Sequence, residues 1–357
     1  MTMCECRIVG NGEIMKKRFI AFIVAAVLCV VSASCAKKPA DTADNNTAST
    51  VGTDEFKLEK AQTYTEFENG RNVICCFGDS LTYGWGSTDG YNYPDQLQGN
   101  LKGQYKVYNG GVCGEKADAV RSRANGCDFE LTNDLYFAAG VDRIDLDREL
   151  FTVTGAVTPI QYLGFGKDLP PNKIIIDGTV YDIEHTPGAE YQHDTYTIVR
   201  KNTDSALTIK KGTQVKYDYS DSFDKCDVAI INFGANDGDS GSDELLEKYK
   251  EFAARYEKYL IFVPMGTDET EQKFTDAFGE HAVVLRPYFL GEAMDKYVGD
   301  NVTDAVKKYN EYCFRHNIVP ASFRLNQDRN EVHFNALGNK VIADKIYERG
   351  VQLGYWK

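Results

Sequence analysis

Short, unbroken apolar runs punctuate the chain. Asn72-Val-Ile-Cys-Cys-Phe77 runs into Gly-Asp-Ser, and Asp227-Val-Ala-Ile-Ile-Asn-Phe233 runs into Gly-Ala-Asn-Asp237. Runs of this length without polar alternation predict strands buried on both faces, as in a parallel sheet. Residues 105–108, 259–263 and 282–285 predict three more, the last two stopped by Pro264 and near Pro287. Between them the period changes to 3.6. Leu245, Leu246, Tyr249, Phe252, Ala253 and Tyr256 share one face of a helix over 243–259, and 302–316 and 336–353 read the same way. Strand–helix alternation of this kind predicts a mostly parallel, five-stranded sheet covered by helices, with ligands bound at the carboxyl ends of the strands.

From 127 to 225 the pattern is different. Residues 174–183 alternate around Asp177-Gly178, the signature of a hairpin with a type I′ turn. Residues 195–200, 206–210 and 214–219 predict further strands. The chain thus reads as an α/β body, 57–126 and 226–357, carrying a small all-β insertion at 127–225. The insertion lies between two chemistry-bearing motifs in the sequence. Its ends are therefore expected near the ligand-binding edge, with its strands forming part of the cleft wall.

The N-terminus has another character. Met15-Lys-Lys-Arg18 is basic, residues 19–31 are apolar but short for a membrane span, and Ser32-Ala-Ser-Cys35 follows. This resembles a bacterial lipoprotein signal. On that resemblance 1–34 is a leader and Cys35 is the lipidated residue, which gives an exported, lipid-anchored protein whose only membrane contact is the lipid. Residues 35–56 are rich in Ala, Asp, Asn and Thr and read as a tether. A formal net charge of −13 argues against nucleic-acid binding. Ten cysteines are present, with neither disulfide nor zinc spacing, and Cys75 and Cys76 point to opposite faces of one strand.

Four motifs sit at strand ends or helix starts. Phe77-Gly-Asp-Ser-Leu-Thr82 presents a serine at the end of the first strand, although Gly-Asp-Ser alone is usually a plain turn. Asn109-Gly-Gly-Val-Cys-Gly114 allows backbone N–H groups close to a ligand, or simply turns the chain. In Gly234-Ala-Asn-Asp237 the Asn236 amide is placed to donate to an oxyanion, or else Asn236 or Asp237 caps the next helix. His333-Phe-Asn-Ala-Leu-Gly338 puts one of five histidines at a loop-to-helix junction, where a lone histidine is more often structural.

Together and in this order, the four motifs resemble the SGNH (GDSL-type) hydrolase superfamily over residues 70–126 and 226–353. The resemblance implies a flavodoxin-like three-layer α/β/α fold and acyl-ester hydrolysis. It makes Ser80 the nucleophile and His333 the general base. The oxyanion hole is then formed by the Ser80 N–H, the Gly114 N–H and the Asn236 side chain, with no metal or cofactor. The family usually has an aspartate three residues before the histidine. Here that position is Asn330, within Asp328-Arg-Asn-Glu-Val-His333. Asn330 is the expected residue orienting His333. Asp328, Glu331 or a bare Ser-His dyad are the alternatives. The expected substrate is a small-molecule or glycan ester, with a short acyl group such as O-acetyl. The rival is a non-catalytic, glycan-binding lipoprotein on the same scaffold, which Asn330 favours.

Overall fold

The computed structural model describes residues 58–62, 72–87, 90–126, 130–146, 151–153, 156–158, 173–186, 195–218, 225–238, 241–300, 302–328 and 330–357. The leader 1–34, the lipidation candidate Cys35 and the tether 35–56 lie outside them. In chain order the first half of the body comprises β1 (Asn72–Gly78), α1 (Ser80–Tyr83), α2 (Tyr93–Asn100), β2 (Tyr105–Gly111) and α3 (Ala117–Arg123). The insertion contributes β3 (Glu130–Leu131), β4 (Leu135–Phe137), β5 (Arg143–Leu146), β6 (Phe151–Val153), β7 (Ala156–Thr158), β8 (Lys173–Ile176), β9 (Thr179–Thr186), β10 (Thr195–Val199), β11 (Leu207–Ile209) and β12 (Val215–Tyr217). The body resumes with β13 (Cys226–Asn232), α4 (Asp243–Ala253), β14 (Tyr259–Val263), α5 (Asp268–Phe278), β15 (Ala282–Val284), α6 (Arg286–Leu290), α7 (Asp304–Arg315) and α8 (Ala336–Gln352).

The body's sheet is fully parallel in the order β15-β14-β13-β1-β2. Counted among themselves, these strands run 2-1-3-4-5, the flavodoxin-like order, and the crevice between β1 and β13 is its switch point. Alternation along β1 divides the apolar side chains between two layers. Val73, Cys75 and Phe77 pack with α3 and α4, whereas Ile74 and Cys76 pack with α2 and α8. Phe77, Ile74 and Ile230 are fully buried, each contributing roughly 1.5–3 kcal/mol. Cys75 and Cys76 thus face opposite layers, and burial pushes both thiols up.

The insertion contains the expected hairpin. Ile176 pairs with Thr179, and Asp177 and Gly178 both have positive φ (47° and 73°), as a type I′ turn requires. Its larger sheet has the order β12-β8-β9-β10-β5. Ile174, Ile176, Val215 and Tyr217 join the same apolar cluster as Phe77 and Phe252.

Among the described residues, the insertion meets the body on the α3 and α4 face of the sheet. Asn125 follows α3 there, next to Ala124, whose carbonyl accepts from Arg255 at 3.0 Å, and to Gly126, which lies against Phe252. The Asn125 amide clasps β12 there, donating to Tyr217 O and accepting from Tyr217 N, both at 2.8 Å.

Candidate active site

The turn from β1 into α1 presents Ser80. A Cβ on Gly78 would stand 2.1 Å from Thr82 Oγ1 and 2.2 Å from Asn232 O, so only glycine allows the strand ends to close this tightly. Asp79, fully buried, accepts the Leu81 N–H at 3.0 Å and fixes the turn. Ser80 is the first residue of α1 and is 3% exposed.

His333 arrives from a loop closed on itself. Arg324 and Phe334 form an antiparallel bridge, and Leu325 N–H donates to His333 O at 2.9 Å. Asn335 then caps α8 by accepting from Gly338 N at 2.9 Å. The result brings His333 Nε2 to 2.9 Å from Ser80 Oγ, a contact spanning most of the chain.

The other ring nitrogen, Nδ1, lies 2.8 Å from Glu331 Oε1, which also accepts the His333 backbone N–H at 2.9 Å. Asn326 donates its amide to the second Glu331 oxygen. Burial pushes the Glu331 carboxyl up, but the hydrogen bonds and charge of His333, with the Val332 N–H, outweigh it and hold the carboxyl below its usual range. A carboxylate has no proton to give, so Nδ1 carries the hydrogen and Nε2 is left to accept the Ser80 proton.

Asn330 is therefore not the imidazole's partner. It is exposed, and its backbone N–H donates to Asp328 Oδ1 at 2.9 Å. Glu331 N–H bonds Asp328 O at 3.0 Å. This tight turn holds Asn330 in solvent and turns Glu331 inward. Asp328 is also exposed, and its carbonyl accepts from Arg324. The loop, not the residue count, selects the carboxylate.

In the loop that follows β2, Gly114 adopts φ +79°, with open space where a side chain would be. The Asn236 amide donates to Glu115 O at 2.8 Å, which fixes it next to Gly114. Neither Asn236 nor Asp237 caps α4; Ser242 does, accepting from Leu245 N at 3.2 Å. Asp237 instead accepts the Ala117 N–H at 2.9 Å, and burial pushes its carboxyl up.

Two residues that periodicity did not single out underlie this loop. Glu115 and Arg123 form an ion pair at 2.6 Å, with side chains 0% and 1% exposed. Burial pushes the Glu115 carboxyl up against the pull of the Arg123 guanidinium. Their only signal in the sequence is an arginine on a helix otherwise turned toward apolar core, eight residues after an acid.

A cavity of about 180 Å³ opens at the ends of β13 and β14, lined by sequence neighbours of Ser80 and His333 but by neither residue itself. Leu81 and Val332, next in sequence to Ser80 and His333, line it together with Phe233, Val263, Met265 and Phe274. Among the described residues, none that lines it comes from the insertion.

No protein-family model matches the chain. No curated protein matches it either. Among solved structures, a serine-to-alanine variant of the esterase AlinE4 aligns over 70% of this chain and 93% of its own, at 14% identity and a TM-score of 0.31. At that similarity the overlap carries no argument about activity.

Proposed function

We propose that the chain is a serine ester hydrolase of the SGNH type, acting through Ser80, His333 and Glu331. The observation that carries the proposal is the continuous line of contacts from Ser80 Oγ through the imidazole to a carboxylate, at 2.9 and 2.8 Å. In this reading His333 Nε2 takes the Ser80 proton as Oγ attacks the ester carbonyl. The Ser80 and Gly114 N–H groups and the Asn236 amide receive the oxyanion. The ester C–O bond breaks, and the alcohol leaves with the proton from His333. Water then attacks the acyl-enzyme by the same route in reverse. Glu331 stabilises the imidazolium in both steps.

The cavity supports a short acyl group. About 180 Å³ compares with roughly 150 Å³ for an apolar cavity that admits benzene. O-acetylated or other short-chain esters of envelope or dietary glycans fit this size and the export signal around Cys35. The glycan-binding alternative rested on Asn330 weakening the triad, and a carboxylate on the imidazole removes that support.

Ser80→Ala tests the mechanism. Turnover of p-nitrophenyl acetate is expected to fall by about 10⁶-fold with the melting temperature unchanged. Undiminished turnover in a folded variant would exclude the mechanism. For the anchor, radiolabelled fatty acid is expected to enter the wild type and not Cys35→Ala. Equal labelling of the two would remove Cys35 as the lipid site.

A further inference from the structure

We infer that Glu115 and Arg123 are positioning residues for the oxyanion donors, holding three separate chain segments in register around the space where negative charge develops. The inference rests on the esterase reading. Arg123 Nε lies 3.0 Å from both Glu115 carboxylate oxygens, and Nη2 lies 2.6 Å from Oε2. The same Nη2 donates to Gly110 O at 2.7 Å and to Gly78 O at 3.3 Å. Gly78 ends β1, two residues before Ser80, and Gly110 is the last but one residue of β2, four before Gly114. The backbone carbonyl of Glu115 accepts the Asn236 amide. One guanidinium thus ties the ends of two strands, and the residue that neutralises it also orients the third donor.

Stability alone does not account for such a pair. Desolvating two charges costs several kcal/mol per ion, and apolar replacements of the same volume are often as stable or more so. Placement does account for it. Oxyanion donors act only within about 2.7–3.1 Å of the developing charge, and a displacement of about 1 Å costs on the order of 100-fold in rate. The Ser80 N–H, Gly114 N–H and Asn236 amide come from three different strand ends, and this buried pair contacts all three segments.

The test uses Glu115→Gln, which keeps the shape but removes the charge, and Arg123→Lys, which keeps the charge but removes the planar fork. Rates on a short-chain p-nitrophenyl ester are normalised to the Ser80 titre given by a fluorophosphonate. Affinity for a trifluoromethyl ketone, whose adduct with Ser80 carries an oxyanion, is measured in parallel. The expected result is a kcat lower by about 10- to 100-fold, KM within about twofold, and ketone affinity lost in proportion to kcat/KM. Asn236→Ala is expected to cost less in the Glu115→Gln background than in the wild type, because the amide is already displaced. Unchanged normalised kcat, or a loss confined to KM, overturns the inference while leaving the esterase reading intact. Failure of both variants to fold also overturns it, in favour of a purely structural pair. A wild type inert toward ester and ketone overturns the esterase reading and this inference with it.

Discussion

At the carboxyl ends of β1, β2 and β13, directional polar contacts hold neighbouring segments together: Ser80 to His333, His333 to Glu331, Arg123 to two strand-end carbonyls, Asn236 to Glu115. Where the insertion joins the body, the contact is an apolar layer of Ile174, Ile176, Val215 and Tyr217 against the core, with the Asn125 amide clasping Tyr217. Apolar contact is non-directional and tolerates small shifts, whereas a hydrogen bond weakens steeply with angle and distance. On the proposed function the difference follows from what each region must do: one fixes reacting atoms, the other keeps a module attached. Changes in the first region should therefore alter rate, and changes in the second should alter stability.

After Ser80→Ala, the largest effect is expected at Glu331. Glu331→Gln offers an amide that can donate as well as accept, so the favoured imidazole tautomer is lost. The corresponding change in serine proteases costs about 10⁴ in kcat, and a similar loss is expected here. The variant also sharpens the comparison through pH. The Glu331 carboxyl is held below its ordinary value in the folded protein, so it contributes stability above the unfolded value, about 4.3. That contribution is lost as pH falls through the folded value. The melting-temperature gap between wild type and Glu331→Gln is expected to narrow below about pH 4. A gap that widens in acid would contradict the assignment of the ionised partner.

Asn125→Ala tests the other region. It strands the Tyr217 main-chain groups, at a cost of about 1–3 kcal/mol. Chemical denaturation is expected to show this loss while kcat/KM stays within about twofold. A tenfold fall in kcat/KM without unfolding would break the division between the two regions.

The smallest effect is expected at Asn330. Exposed on its turn and remote from the ring, Asn330→Asp is expected to leave kcat/KM within about twofold, as surface changes generally do. A large gain would mean that Asn330, and not Glu331, faces the imidazole.

The body was largely legible in the sequence because both-faces-buried strands leave unbroken apolar runs: 72–77, 227–233 and 259–263 match β1, β13 and β14 closely. Ser80 and His333 were legible because strand ends and helix starts place them. The helix α2 was not, since Tyr93-Pro-Asp-Gln-Leu-Gln-Gly-Asn100 has little apolar periodicity; it is held by the Asn92 cap and by packing. The partner of His333 was illegible for a different reason. Spacing favours Asn330 over Asp328 and Glu331, and only the turn closed by Asp328 and Asn326 brings Glu331 to the ring instead.

The clasp between Asn125 and Tyr217 also bears on how this protein could be remodelled. It brings the approach to the insertion and its last strand within hydrogen-bonding distance. The extra module therefore leaves the body almost where it entered, as a domain inserted at a surface loop does. At such a doorway one guest can be exchanged for another, or replaced by a short linker, without rethreading the host. On the proposed function, diversity acquired there changes what the protein carries without changing the reaction it runs.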